Sequence, residues 1–268
     1  MNLHKSCERM GAEMIARLGF AHEPIDIHSH FNHGSPFDCP DDESHLRSLE
    51  FVESVYTSYG ISQVGISTYP SVLTHPECVF EENAFLHKLK DEKEWVYQWV
   101  VIDPRRPETY EQAEKMLHQP KVLGIKLQPV EQGYNVTEYA DALFSFANER
   151  KAVILMHPQH MRQMPTFADK YPDMKLIVAH IGSKDWVDVI ESAKHGNIYA
   201  DTSGGASSKN HIIEYAVNRI GSEKLLFGTD AYSFAFQFGR IALSELSMTD
   251  KENILWKNAV KLFPDVLK

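Results

Sequence analysis

The sequence contains few cysteines, and their number and spacing exclude disulfide-stapled and zinc-finger classes of protein. Only Cys7, Cys39 and Cys78 are present, and they match neither pattern. Unpaired cysteines in odd number favour a reducing compartment, so we predict a cytoplasmic protein. Cys39 follows the first predicted strand and is a candidate for contact with a metal, although free cysteines are usually passive.

Two further classes of partner are excluded by what the sequence lacks. No apolar run reaches the roughly 20 residues of a transmembrane helix, and the first 20 residues have no apolar core of the signal-peptide type. Positive charge is also scarce, because 27 Lys and Arg residues stand against 37 Asp and Glu residues for a net charge of -10. We therefore expect neither a membrane nor a nucleic acid as partner.

What the sequence does contain is a regular alternation of strand and helix patterns. Its 268 residues are a usual length for one α/β barrel. The strand runs are short and continuously apolar, as expected for parallel strands that are buried on both faces. No glycine-rich phosphate loop follows the first run, which argues against a dinucleotide-binding sheet. We predict an α/β fold with a single (β/α)₈ TIM-barrel domain over residues 1–268. Its predicted strands cover residues 24–30, 63–67, 95–102, 122–127, 152–157, 175–180, 197–201 and 225–228.

Helices are predicted to extend the barrel at both ends of the chain. Apolar residues at helical spacing indicate a short N-terminal helical extension within residues 1–20. Two C-terminal helices are predicted over residues 233–246 and 251–262. Thr249 and Glu252 have the spacing of a capping box, which would begin the second of them.

The first predicted strand contains a His-x-His motif. Because side chains alternate along a strand, we expect Asp26, His28 and His30 to share one face and Ile25 and Ile27 to share the other. Two imidazoles on one side of a strand end are suitably spaced to bind one metal ion. Taken alone, the motif is equally consistent with a structural or surface role.

Polar residues also lie at the carboxyl ends of the other strands, and they indicate an active site. In an α/β barrel the active site lies at these ends. Isolated polar residues at strand ends often only cap the strand through hydrogen bonds, but their repetition at matching ends favours a shared site. Three imidazoles with a carboxylate suit a divalent ion, zinc first and manganese or iron(II) as alternatives. The strand-end residues are His28, His30, Lys126, Gln128, His157, His180, Asp201 and Asp230.

Five motifs in this order resemble the amidohydrolase superfamily, and within it the amidohydrolase-related branch that contains aminocarboxymuconate-semialdehyde decarboxylase. The resemblance covers residues 24–264. It implies a mononuclear metal site with His28, His30, His157 and Asp230 as ligands. It also implies that His180 is a catalytic histidine or a further ligand, and that Asp230 accepts a proton. The motifs are residues 25–30, 124–129, 154–157, 176–182 and 226–230.

Two positions depart from the pattern of this branch, and one has several interpretations. Gln128 stands where relatives often have His, and Ala231 stands where a proline usually follows Asp230. Lys126 is open to three readings: it pairs with a substrate carboxylate, forms a salt bridge in the barrel mouth, or becomes carboxylated and binds a second metal. We include Lys126, Gln128 and Arg162 as substrate-binding candidates, with the Arg162 guanidinium placed to reach a carboxylate.

The resemblance and the strand-end residues together predict a metal-dependent enzyme that acts on a small, anionic molecule. The first hypothesis is a hydrolase in which a water activated by the metal attacks an amide, ester or lactone carbonyl. The second is a non-oxidative decarboxylase of a cyclic or unsaturated carboxylic acid. The third is a barrel that binds a ligand without turnover, which the intact ligand set argues against. A homodimer is left open.

Overall fold

The fold of the chain is an eight-stranded parallel barrel. The computed structural model describes residue 11 and residues 13–38, 44–73 and 75–268. All eight strands pair in chain order, and backbone bonds from Ile27 N to Phe227 O (3.0 Å) and from Thr229 N to His28 O (3.1 Å) join the last strand to the first. The predicted (β/α)₈ barrel is confirmed. The strands are β1 Asp26–Ser29, β2 Val64–Ile66, β3 Val96–Val101, β4 Val122–Leu127, β5 Val153–Met156, β6 Lys175–Val178, β7 Ile198–Asp201 and β8 Leu225–Leu226.

Helices follow the strands and cover the outside of the barrel. Residues 13–17 are helical before β1, and the earlier part of the predicted N-terminal extension lies outside the described residues, as do Cys7 and Cys39. None of the described helices has the length and apolar character needed to cross a membrane. The α-helices are α1 Leu49–Tyr59, α2 Tyr69–Val72, α3 Val79–Glu92, α4 Pro107–Met116, α5 Val136–Glu149, α6 Met164–Lys170, α7 Lys184–Ser192, α8 Ile212–Ile220, α9 Phe234–Ala242, α10 Met248–Glu252 and α11 Asn258–Leu262. A π-helical segment, Asn253–Lys257, joins α10 to α11, and short 3₁₀ helices cover Ser44–Arg47, Pro76–Cys78, Met161–Gln163, Ala206–Ser208 and Ser222–Lys224.

The interior of the barrel is packed below the mouth, so it holds the strand ends rigidly. Trp99 is fully buried there, and its indole Nε1 donates to Ile27 O at 2.7 Å. Gly65 and Gly124 leave room for the indole, since a Cβ at either position would lie about 3 Å or less from it. Phe263 and Leu267 from the C-terminal segment join the same apolar cluster. The outer faces of the strands form a second, larger core with the helices.

The first strand carries a β-bulge that its residue pattern does not reveal. From Asp26 to Ser29 the pairing advances by three residues on β1 and by two on β2. Asp26 and Ser29 consequently share one face, and the Tyr56 hydroxyl lies 2.6 and 2.8 Å from their side-chain oxygens. His28 and His30 both line the barrel mouth. The prediction that Asp26 shares a face with the two histidines is wrong, because the extra residue re-aims the side chains that follow it.

The last helical segment ends at Leu262, as predicted, but it begins earlier than the sequence suggests. The predicted capping box at Thr249 and Glu252 is wrong: Ser247 is the N-cap, and its Oγ accepts from the amide of Asp250 at 3.1 Å. The reciprocal contact also involves Asp250, whose carboxylate accepts from the Ser247 hydroxyl. The same capping chemistry therefore operates two residues earlier in the chain.

Candidate metal centre

A cavity of about 790 Å³ opens at the carboxyl ends of the strands. Its floor contains most of the residues that the sequence singled out, drawn from five strand ends. One wall comes from α1 and the segment after β8, and it carries aromatic side chains that include Phe51, Tyr232 and Phe234. The sequence-predicted residues that line the cavity are His28, His30, Lys126, Gln128, His157, His180 and Asp230.

The two histidines of β1 have fixed tautomers, because the outer nitrogen of each ring faces an acceptor. His28 Nδ1 lies 2.7 Å from the Asp201 carboxylate, and His30 Nδ1 lies 2.7 Å from the carbonyl of Ser67. Burial and the charge of Lys126 together lower the pKa of His28 to about 3, although Asp201 opposes the shift. Both rings are therefore neutral near pH 7, protonated on Nδ1 and unprotonated on Nε2. The two Nε2 atoms lie only 3.2 Å apart.

The carboxylate of Asp230 faces the same place. Its Oδ1 lies 3.5 Å from His28 Nε2 and 3.3 Å from His30 Nε2. The turn that carries it is held to β1, since the amide of Asp230 donates to the carbonyl of His28 at 2.7 Å. Asp230 has a positive φ of 58°, a left-handed conformation that costs a non-glycine residue about 1–3 kcal/mol. Such strain in a residue that faces both imidazoles is typical of a functional site.

His180 joins this group from the end of β6. His28, His180 and Asp230 each offer one ligand atom, and the three atoms lie within 4.8 Å of one another. The outer nitrogen of His180, Nδ1, lies 2.9 Å from the hydroxyl of Ser203. Its backbone also has a positive φ, 64°. The structure thus places His180 among potential ligands, whereas the resemblance favours His157 as the third histidine ligand.

His157 stands beside His180 with one ring nitrogen unsatisfied. The two rings pack edge to face with centroids 5.3 Å apart. Nδ1 of His157 is buried and has no hydrogen-bond partner among the described residues. Burial and the charge of Lys126 together lower the pKa of His157 to about 4. A neutral imidazole with an unpartnered nitrogen is available either to a metal or to a substrate.

A divalent cation fits this arrangement of atoms. Two unprotonated imidazole nitrogens and a carboxylate oxygen meet within 3.5 Å of each other, and each of them is an electron-pair donor. Facing acceptors at this separation repel one another unless a cation lies between them. The donor set of imidazoles with one carboxylate is the type that zinc, manganese and iron(II) bind.

Lys126 and Gln128 lie at the end of β4, next to the cluster. Lys126 is fully buried, and its Nζ donates to His28 Nε2 at 2.7 Å. Burial lowers the pKa of Lys126 to about 8, although Asp230 and Asp201 act in the opposite direction. The Oε1 atom of Gln128 is buried and has no hydrogen-bond partner among the described residues. Both side chains therefore have polar atoms that a ligand in the cavity can contact.

Arg162 lies away from this cavity. Its side chain is 86% exposed and pairs with Asp185 at 3.3 Å, in a shallow surface depression beside the loop after β5. The guanidinium in the wall of the cavity is instead that of Arg47, which lies over the ring of Tyr69 at 5.3 Å. The structure gives no support to Arg162 as a contact of a ligand in the cavity. Arg47 belongs to a short 3₁₀ helix in the loop after β1, and no spacing in the sequence marked it.

Asp201 and Ser203 contact the candidate site, although the sequence assigned neither of them a role. Asp201 was recognised only as the end of β7, yet its carboxylate binds His28 Nδ1, the amide of His180 at 2.9 Å and the hydroxyl of Ser203 at 2.6 Å. One carboxylate therefore orients residues from two different strands. Its position in the same layer of strand ends as His180 was the signal that could have identified it.

The sequence also matches a known protein family. A family model described as Amidohydrolase matches residues 25–264. No curated protein sequence matches the chain.

Three solved structures share the fold at low sequence identity. The 5-carboxyvanillate decarboxylase of Novosphingobium aromaticivorans DSM 12444, complexed with manganese and 4-hydroxy-3-methoxy-5-nitrobenzoic acid, has a TM-score of 0.75 and 13% identity over 91% of this chain and 96% of that one. A 2,6-dihydroxybenzoate decarboxylase complexed with 2,6-dihydroxybenzoate has a TM-score of 0.71 and 14% identity over 91% and 99%. A probable 2-pyrone-4,6-dicarboxylic acid hydrolase of Acinetobacter baumannii with bound citric acid has a TM-score of 0.66 and 13% identity over 91% and 100%. At these identities the likeness establishes the fold alone.

The family assignment rests on the extent of the family match. It begins one residue before β1, ends two residues after α11 and includes each of the strand ends that form the cavity floor. The chain belongs to the amidohydrolase family of metal-dependent hydrolases and decarboxylases.

Proposed function

We propose that this protein is a metal-dependent decarboxylase of a small cyclic or unsaturated carboxylic acid. The observation that carries the proposal is the meeting of imidazoles, one carboxylate and a buried lysine beneath a wall with aromatic side chains. If a planar acid packed against that wall, its carboxylate would point at the imidazoles and the Asp230 carboxylate that form the candidate metal centre. Two of the structures with the same fold are decarboxylases of aromatic acids, which favours decarboxylation over our first sequence-based hypothesis of hydrolysis.

The metal would be held by His28, His30 and Asp230, with His157 and His180 as the candidates for the remaining positions. When bound, a divalent ion supplies a Lewis acid that orients the substrate and withdraws electron density from its oxygen atoms. Zinc is our first choice from the donor set, and manganese is the alternative.

Three polar side chains are placed to bind the anionic substrate. Lys126 loses its acceptor when His28 Nε2 is used as a ligand, so its ammonium group becomes available to a carboxylate. Arg47 offers a second positive charge from the cavity wall. Gln128 Oε1, which has no partner among the described residues, can accept from a hydroxyl group of the substrate. The positive charges concentrate anions in the cavity although the whole chain is acidic.

His180 is the best-placed residue to supply the proton that decarboxylation needs. When the bond between the substrate and its carboxylate carbon breaks, carbon dioxide leaves and the electron pair stays on the substrate carbon. A proton must then reach that carbon. His180 Nε2 lies 3.9 Å from Asp230 Oδ2 in the cavity, so these two side chains can hold the proton and pass it on.

Hydrolysis is the second candidate, and one observation favours it. The side chain of Asp230 is 22% exposed, so water reaches the same group that would otherwise serve a decarboxylase. Asp230 or His180 would then accept a proton from a water that attacks a lactone, ester or amide carbonyl.

The products of turnover distinguish the two candidates. The metal-loaded protein is incubated with hydroxybenzoates and with lactones and amides, while released carbon dioxide, titratable acid from the lactones and free amine from the amides are measured separately. We expect carbon dioxide from at least one acid and no acid release from lactones. Acid release without carbon dioxide would establish hydrolysis. His28→Ala is the inactive control, and substitution of the exposed His195 by alanine controls for the loss of a histidine elsewhere.

The role of Lys126 is tested by Lys126→Met. We expect KM for a carboxylate substrate to rise about tenfold or more, because a buried charge-assisted hydrogen bond is lost. A neutral analogue should show little change, and metal content should hold. A fall in metal content would instead identify Lys126 as a carboxylated ligand in a binuclear site.

A further inference from the structure

A second cavity lies at the opposite end of the barrel, where the strands begin. It has a volume of about 520 Å³. Its wall includes residues at or next to the first residues of β5, β6 and β8, together with the C-terminal segment around α11. None of its lining residues lines the central cavity. The reaction proposed above therefore leaves this cavity without a role.

Four lysines surround this second cavity. Lys151, Lys175, Lys224 and Lys261 line it, against two acidic residues, Asp173 and Glu223. Within the described part of the chain, none of the four ammonium groups forms a salt bridge. In a protein with a net charge of -10, a concave surface with an excess of lysines is unusual. Its ammonium groups repel one another when no anion is bound.

Three of the four lysines are close enough for their charges to interact. Burial lowers the pKa of Lys224, and the charges of Lys175 and Lys261 lower it further while Glu223 opposes them. Lys224 Nζ lies 4.7 Å from the ring centre of Tyr199 and also donates to the carbonyl of Gly196. The Lys224 side chain is therefore held in place beside an aromatic ring, and it stays half-buried.

Apart from Asn258, whose side-chain amide donates to the carbonyls of Ser222 and Leu225, the remaining lining of the cavity is apolar. Val153, Tyr199, Leu262 and Pro264 lie between the charged groups. A simple ion such as phosphate gains no binding free energy from an apolar surface. The hydrocarbon part of an organic anion, by contrast, is stabilised by contact with it. An excess of positive charge beside apolar side chains suits an amphiphilic anion.

We propose that this lysine-lined cavity is a second ligand site, which binds an organic anion with two or more negative charges and an apolar or aromatic body. Lys175, Lys224 and Lys261 would contact the charged groups, and Tyr199 with Leu262 would contact the body. The site lies at the end of the barrel opposite the metal centre, so the ligand can bind while the central cavity is occupied.

The test is residue-specific protection of lysines from acylation in the metal-loaded, full-length protein at low salt. The probe is 1,3,5-benzenetricarboxylate, with inorganic pyrophosphate as an anion that lacks an organic body. We expect benzenetricarboxylate to slow modification of Lys175, Lys224 and Lys261 while the exposed Lys88 and Lys115 are modified at unchanged rates. Equal protection of all five lysines would overturn the proposal, as would no protection. If pyrophosphate protects Lys175, Lys224 and Lys261 as well as benzenetricarboxylate does, the proposal that the ligand needs an organic body is overturned.

A pair of matched variants makes the same test by calorimetry. Lys175→Gln/Lys261→Gln removes two charges from the cavity, and Lys88→Gln/Lys115→Gln removes two exposed charges elsewhere. The first variant should bind benzenetricarboxylate about tenfold more weakly than wild type, and the second should bind it unchanged. Both should keep wild-type metal content and turnover, because neither alters the central cavity. Equal weakening in the two variants would mean that only the net charge of the protein matters, and the site would be rejected.

Discussion

At the scale of single residues, the candidate metal centre depends on what the outer nitrogen of each imidazole contacts. Asp201 holds His28, the Ser67 carbonyl holds His30, and Ser203 holds His180. Such partners fix the tautomer and the ring orientation, and they make the inner nitrogen a better ligand. His157 is the exception, since its Nδ1 has no partner among the described residues. This difference separates the four histidines more clearly than their positions in the sequence do.

Asp201→Asn should weaken metal binding by about 10–100-fold. An asparagine amide is neutral, and its NH₂ group offers a donor where the His28 Nδ1–H needs an acceptor. Metal affinity is measured by titration of the stripped protein against a competing chelator. Asp103→Asn is the matched control, because Asp103 is an equally buried aspartate just after β3 that pairs with Arg105. Unchanged affinity in Asp201→Asn would show that this carboxylate does not support the metal.

His180→Asn and His157→Asn should separate a proton-transfer residue from a ligand. We expect His180→Asn to keep metal bound and to lose turnover by about a hundredfold or more, and His157→Asn to lose metal. Metal content per chain is measured for both variants after free metal is removed, and turnover is measured on the same samples. The reverse pattern, with metal lost in His180→Asn, would make His180 the ligand, as its proximity to His28 and Asp230 allows.

The sequence identified these residues by their place at strand ends, but it could not rank them. All of the floor residues end apolar runs, and a parallel barrel brings such ends together whatever their roles are. Arg162 also follows a strand, yet its side chain points to solvent. The difference between Arg162 and Arg47 depends on loop conformation, which no local pattern of residues specifies.

At the scale of elements, the turns after the strands fix the site as much as the strands do. The turn after β7 contains Gly204 in a left-handed conformation, with φ of 69°. A Cβ at this position would lie 2.7 Å from His180 Nδ1 and 3.2 Å from Asp230 Oδ2. Only glycine therefore allows the backbone to pass this close to the two side chains.

Gly204→Ala should impair turnover far more than it destabilises the fold. Its left-handed φ costs alanine about 1–2 kcal/mol, and the methyl group must also displace His180 or Asp230. Two controls separate these effects: Gly133→Ala has the same kind of φ, 68°, with open space around the Cβ, and Gly205→Ala has neither strain nor contact. Thermal unfolding and turnover are measured for all three. If Gly133→Ala loses as much turnover as Gly204→Ala, backbone strain rather than the clash explains the loss.

Element boundaries were predictable where apolar runs are long, and were missed where one residue changes the geometry. β4 covers residues 122–127, as predicted. In β1 the bulge between Asp26 and Ser29 reverses the face on which later side chains lie, and nothing in the alternation of residues indicates it. The start of α10 was missed because Ser247 and Thr249 both have the chemistry of an N-cap, and tertiary packing selects one.

At the scale of the whole molecule, the side chains that repel one another lie at the two ends of the barrel. The packed interior between them contains Trp99, Leu155 and other apolar residues. At one end two imidazole nitrogens and the Asp230 carboxylate face each other, and at the other end four lysines surround a cavity. Each group raises the free energy of the folded state when no ligand of opposite charge is bound. Ligands that neutralise these groups should therefore stabilise the fold as a whole.

Removal of the metal should therefore lower the melting temperature of the protein. At a free metal concentration of about 100 times Kd, binding contributes about 2.7 kcal/mol to the free energy of unfolding. In a chain of this size each kcal/mol corresponds to roughly 2–4 °C, so treatment with a chelator should lower Tm by about 5–10 °C. Added zinc or manganese should restore it. His28→Ala should melt at the same temperature with and without metal, because the ligand set is broken, whereas the exposed His195→Ala should respond like wild type. A Tm that does not change with metal in the wild-type protein would show that the cluster at the strand ends holds no ion, and the function proposed for it would fail with it.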